Sequence, residues 1–163
     1  MNTTTPSLID EVPALLSDGV ARVFDTMLSL PATPAAVRDL HQPGQSLVAG
    51  SVGFIGDVNG IVYIHVTAPF ARSLAGRMLG MAETDLGGDE MVNDVVGELT
   101  NMIVGSVKSR LCDSGLSCVL TIPSIVRGQN FSFEPVGSSE RRVLGFCCGD
   151  DTILAELFIK LPG

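Results

Sequence analysis

The residue types with the most evident chemical use lie in one stretch, Gly88 to Leu111, GDEMVNDVVGELTNMIVGSVKSRL. Asp94, Glu98 and Asn101 stand four and three apart there. At about 100° per residue, such spacings put side chains on one face of a helix. The face would carry two acids and an amide, with Gly97 and Gly105 among them. Each glycine costs roughly 1 kcal/mol of helix stability relative to alanine. A bare helix face beside Glu98 and Asn101 lets another backbone come close, and polar contact with a second molecule is the chemistry open to it. Without context, the same pair also reads as a solvated face. Glu90 and Asn93 repeat the spacing in the first turn, where the helix dipole favours Glu.

No other residues assemble a site. His41 and His65 are isolated in sequence and read as packed or half-exposed residues. No Ser/His/Asp set and no His/Cys ligand spacing occurs. Cys147 and Cys148 would point to opposite faces of a strand, which disfavours joint metal binding. The Gly53–Gly60 stretch lacks the Gly-Lys-Ser/Thr of a phosphate loop. A thiol enzyme using Cys112 or Cys118 has no group nearby to activate it. If the chain is an enzyme, a partner must supply the missing groups.

Composition narrows the classes. With 163 residues, 45% hydrophobic and 17% charged, the chain can bury a real core. Its net charge of −8 argues against nucleic acid or anionic membrane as partners. No run of about 18 apolar residues exists to span a membrane. The opening MNTTTPSLIDEVP lacks a basic n-region and an apolar core, so no secretory signal is expected. The four cysteines, Cys112, Cys118, Cys147 and Cys148, read as reduced thiols in the cytoplasm.

The elements that must position the face follow from periodicity. Residues 1–9 read as a loose polar tail, and 10–163 as one domain. A helical period starts at Asp10, tolerates Pro13 in a first turn, and ends near Ser29 or Leu30 before Pro31. Strands are expected at Ala35–His41, Ser46–Ile55 and Ile61–Val66, with Asn59-Gly60 suited to the hairpin turn. Thr67 would cap a second helix over 69–81, and Asp89 the long one. Strand patterns return at Leu116–Val126, interrupted by Pro123, and at Arg142–Cys148 and Ile153–Ile159. Gln129–Glu140 reads as an irregular excursion. Met91, Val92, Val95, Val96, Leu99, Met102, Ile103, Val104, Val107 and Leu111 form the apolar arc of the long helix.

Helix, three strands, helix, helix, three strands suggests two similar units, at about 10–67 and 88–161. Asp18-x3-Arg22-x2-Asp25 on the first helix aligns with Asp94-x3-Glu98-x2-Asn101 on the long one. The fold class is therefore α+β, a two-layer sandwich of a pseudo-duplicated helix-plus-three-strands unit.

The Asp94-x3-Glu98-x2-Asn101 pattern, in DVVGELTNMIVGSVKSRL, resembles the CheC/CheX/FliY phosphatases of bacterial chemotaxis, and the CheX-like branch most. Pro123 in IPSIVRG, VFDTML in the first helix and the GFIGDVNG hairpin are similar to that branch as well. The resemblance implies one site per chain, since Arg22 and Asp25 replace the Glu and Asn of a first motif. It implies as substrate a phosphorylated CheY-like response regulator, which brings its own phosphoaspartate, Mg²⁺ and lysine. Asn101 would orient the attacking water and Glu98 would pair with the regulator's lysine, with Asp94 a supporting polar residue; the bare backbone at Gly97 and Gly105, read from the residues themselves, would let the helix dock closely. The chain itself would bind no cofactor and would form a homodimer. The alternative is a non-catalytic module of the same fold that binds a regulator or joins the flagellar switch.

Overall fold

In the computed structural model, residues 4–135 and 137–160 are described; residues 1–3 of the expected tail and 161–163 lie outside them. Three helices and seven strands follow in order. They are α1 (Thr4–Leu28), β1 (Thr33–Ala35), β2 (Leu47–Gly56), β3 (Asn59–Thr67), α2 (Ala68–Leu79), α3 (Asp89–Asp113), β4 (Cys118–Leu120), β5 (Ser124–Gly128), β6 (Ser139–Cys148) and β7 (Asp151–Lys160).

All strands join one antiparallel sheet in the order β1-β6-β7-β3-β2-β4, with β5 also beside β2. The order keeps its pattern when β1, β2, β3 are exchanged with β4/β5, β6, β7. Each unit's short strand lies on the long hairpin of the other, and β3 and β7 meet at the centre. The chain is thus a mixed α+β fold of helices on a sheet.

The helix layer packs on one sheet face. β2 alternates its side chains, and Gly50 faces α3, where an added Cβ would overlap Thr100 Oγ1 and lie 3.1 Å from Val96 Cγ1. Val48, Val52 and Phe54 share that face and are buried, as are Val92, Val96, Leu99, Ile103 and Val107 of α3. α1 crosses α3 at Gly19, where an added Cβ would stand 3.1 Å from the Ile103 carbonyl oxygen. Met91 is exposed and Met102 half-buried, so the apolar arc of α3 is narrower than its sequence suggests; Thr100 takes a place in it by donating to the Val96 carbonyl.

Several boundaries differ from the sequence reading. α1 begins at Thr4, inside the expected tail, because Pro6 falls in the first turn, where its missing N–H leaves no carbonyl unpaired. Pro13 therefore lies inside the helix rather than at its start. β1 is a short edge strand at Thr33–Ala35, not Ala35–His41; Pro34 suits an edge. The β2–β3 turn is Asp57–Val58, and Asn59 turns back to accept the Gly56 N–H at 2.9 Å. Gly60 lies within β3, where a Cβ would strike the Phe54 ring and the Phe158 carbonyl. Gly88, not Asp89, is the N-cap of α3, and Asp89 instead faces Arg127 Nη1 at 3.6 Å. Thr67 does cap α2, accepting the Phe70 N–H.

The Gly50 contact gives a test. Gly50→Ala should cost about 1–3 kcal/mol, because Thr100 is β-branched and cannot swing away without leaving its rotamer. Urea denaturation followed by circular dichroism reads the loss directly.

Candidate functional site

The polar stripe of α3 is outward-facing. Asp94 and Glu98 are exposed, and Asn101 and Gly105 half-buried. Among the described residues, the side chains of Asp94, Glu98 and Asn101 make no hydrogen bond or ion pair within the chain. The corresponding residues of α1 are occupied differently: Asp18 lies 4.0 Å from Arg110 at the end of α3.

The two glycines part company. Around Gly105 nothing lies within 4 Å of an added Cβ, so that backbone is open to an incoming surface. Gly97 is buried, with an added Cβ 3.4 Å from Pro123 and 3.9 Å from Ile125. The bare face expected at Gly97 is therefore closed by the chain's own strand: the missing side chain admits Pro123. Between them lies a groove of about 370 Å³, lined by Asn93, Asp94, Gly97, Glu98, Pro123 and Ile125. Asn101 is not among its lining residues. It follows Gly97 by one turn and about 40° around the helix, on the way to Glu98.

The wall of the groove is built by the sheet edge. β4 pairs with Phe54–Gly56 and β5 with Leu47–Ser51 of the same strand. Pro123 has no N–H for the ladder, so the edge breaks there as the sequence suggests. Thr121 bridges the gap: its N–H donates to the Gly53 carbonyl at 2.9 Å, and its hydroxyl accepts the Gly53 N–H at 2.8 Å. Arg127 on β5 donates to Asn93 Oδ1 and pins the strand to the first turns of α3.

A larger cavity, of about 570 Å³, lies on the other sheet face, among Arg38, His41, His65, Phe131, Phe133 and Glu156. The irregular segment after β5 covers that face. Phe133 stacks on Tyr63 with ring centroids 3.8 Å apart, and His41 Nε2 lies 2.8 Å from the Phe131 carbonyl. His65 is buried, 3.0 Å from Glu156 Oε1, while Arg141 Nε donates to Glu156 Oε2 at 2.7 Å. These groups satisfy one another, whereas those of the α3 stripe are free. The stripe is the better candidate despite its smaller groove. The sequence signal for Glu156 was a lone charge inside the apolar run ILAELFI; its pairing with His65, across two strands, was not readable.

Burial pushes the Cys118 and Cys148 thiols up, which opposes thiolate chemistry there. Among the described residues no group of three His, Cys, Asp or Glu could hold a metal ion, and no helix is long and apolar enough to cross a membrane.

Helices on one face of an open antiparallel sheet, with an acid-amide stripe on the long helix, define a CheC-like domain. A family model described as chemotaxis phosphatase CheX matches residues 48–147, which hold all of α3 and its sheet edge, and the chain belongs to that family. No curated protein sequence matches it. Among solved structures, the chemotaxis protein CheX of Vibrio vulnificus is similar with a TM-score of 0.78 and 24% identity, over 92% of this chain and 97% of that one. A CheC-like superfamily protein from Shewanella sp. PV-4 gives 0.77 and 23%, over 98% and 99%. The CheX of a CheX–CheY–BeF3–Mg²⁺ complex from Borrelia burgdorferi gives 0.74 and 21%, over 91% and 97%. At such identities these likenesses speak for the fold.

The buried carboxylate yields a pH prediction. Burial alone would raise the Glu156 carboxyl, but the hydrogen bonds and charges of His65 and Arg141 outweigh it and hold it below its ordinary value of 4.5. A depressed carboxyl stabilises the fold above its unfolded pKa, and that contribution disappears as pH falls below about 4.5. Urea midpoints measured downward from neutral pH should drop more steeply for the wild type than for Glu156→Gln, which starts from a lower value.

Proposed function

We propose that this chain speeds the hydrolysis of the phosphoaspartate of a CheY-like response regulator. The observation that carries the reading is the unpartnered Glu98–Asn101 pair on an exposed helix face, in a chain that belongs to the CheX family. A free carboxylate and a free amide, beside a backbone left open at Gly105, form half of an active site. The regulator supplies the other half: the phosphorylated carboxylate, a divalent cation and a lysine.

In this reading α3 docks over the regulator's phosphorylation site. Glu98 pairs with the lysine and fixes the helix in register. Asn101 enters the site, and its amide both donates to and accepts from a water, holding it in line with the phosphorus. The water oxygen bonds to phosphorus while the bond from phosphorus to the aspartyl oxygen breaks. Aspartate leaves as a carboxylate and the phosphoryl group as inorganic phosphate. Positioning and charge stabilisation carry such reactions, so no general base from this chain is required. The process would take place in the cytoplasm, with the chain acting as a homodimer.

Asn101→Ala should lower stimulated phosphate release by about a hundredfold or more while leaving the circular dichroism spectrum and Tm unchanged. Glu98→Ala should instead weaken association with the regulator. Unchanged release by Asn101→Ala at matched regulator concentration refutes the role given to the amide. Binding of the phosphorylated regulator by the wild type without faster phosphate loss points to the non-catalytic docking module.

A further inference from the structure

The edge formed by β4 and β5 runs antiparallel alongside α3, and three contacts fix its position. The Leu116 N–H bonds the Leu111 carbonyl near the end of α3. Pro123 meets Gly97 in the middle. Arg127 holds Asn93 near the start. A strand advances about 3.3 Å per residue and a helix about 1.5 Å, so one strand residue covers about two helix residues. One step back from Pro123 therefore lies level with the turn that follows Gly97, the turn of Glu98 and Asn101. The residue at that step is Ile122.

Ile122 is 86% exposed, more than any other large hydrophobic described. A single exposed isoleucine needs no explanation in general. This one differs in being held. Thr121 before it is tied to Gly53 by two hydrogen bonds, and Pro123 after it has a fixed φ and seats in the Gly97 notch. An apolar side chain in a pinned backbone, beside a stripe of unpaired polar groups, has the layout of an interface anchor with its polar rim. Little conformational freedom remains for it to lose on binding.

We propose that Ile122 is an apolar anchor that enters a recess on the response regulator when α3 covers the phosphorylation site. It sets affinity and choice of regulator, not the chemical step. This inference rests on the function proposed above. The occupant is the regulator because Pro123 lines the same groove as Glu98, and the exposed residue next to it in the chain stands at the level of that stripe.

The test compares variants against a regulator activated with beryllofluoride and Mg²⁺, and in phosphate release at rising regulator concentration. Ile122→Ser should bind about tenfold more weakly and raise KM to match, with kcat retained; Ile122→Val should recover most of the affinity. Val37→Ser alters an exposed apolar residue at the cavity on the other sheet face and should change nothing. Wild-type affinity in Ile122→Ser overturns the anchor while leaving Asn101 untouched. So does weakened binding that tracks a changed oligomeric state, since the occupant is then a second copy of this chain. A wild type that binds without speeding release removes the phosphatase reading alone, and the affinity comparison still decides the anchor. A wild type that neither binds nor speeds release removes both.

Discussion

α3 is held at two places where a glycine brings a neighbouring element close. On its inner side Gly50 of β2 lets Thr100 and Val96 press onto the sheet. On its flank Gly97 admits Pro123 from the sheet edge. Between them these two notches fix how the helix is rotated. Its apolar arc must turn to β2 and its Gly97 side to the β4–β5 edge, so Glu98 and Asn101 have nowhere to point except outward. The exposed stripe is thus a consequence of packing. Because the interior is close-packed, an added methyl at Gly50, which would overlap Thr100 Oγ1, would be felt as rotation or displacement of the stripe.

Much of this was readable from local chemistry. The period of α3 and the acid-acid-amide spacing depend only on residues within a few turns, and so does the Thr67 cap. Pro123 announced the break in its strand because its missing N–H cannot be replaced. What could not be read depends on what comes near from elsewhere in the chain. A glycine in a helix signals close approach but does not name the visitor: Gly105 is open, whereas Gly97 is filled by a residue from the same molecule. Asn59-Gly60 carried turn chemistry, yet Gly60 is needed in the strand to clear the Phe54 ring. His65 looked solitary because its carboxylate partner arrives on the last strand.

The two faces of the sheet do different work. On the helix side the stripe of Asp94, Glu98 and Asn101 has no partner among the described residues and points at solvent. On the other, charge is turned inward and satisfied: Glu156 is shared by His65 and Arg141, and His41 fastens the covering segment through the Phe131 carbonyl. A buried charge without partners would be strongly destabilising, so this cluster ties β3, β6 and β7 to one arrangement.

The sheet order also bears on how the molecule is made. β1 has only β6 as a neighbour, and the outer edge of β3 is covered only by β7, so His65 waits for Leu154. As the chain leaves the ribosome, the β2–β3 hairpin is complete long before the strand that closes it. Such distant pairing slows folding and leaves an apolar edge uncovered while synthesis continues. Once β7 docks, each unit clasps the other's hairpin, and neither half can come away without tearing the sheet.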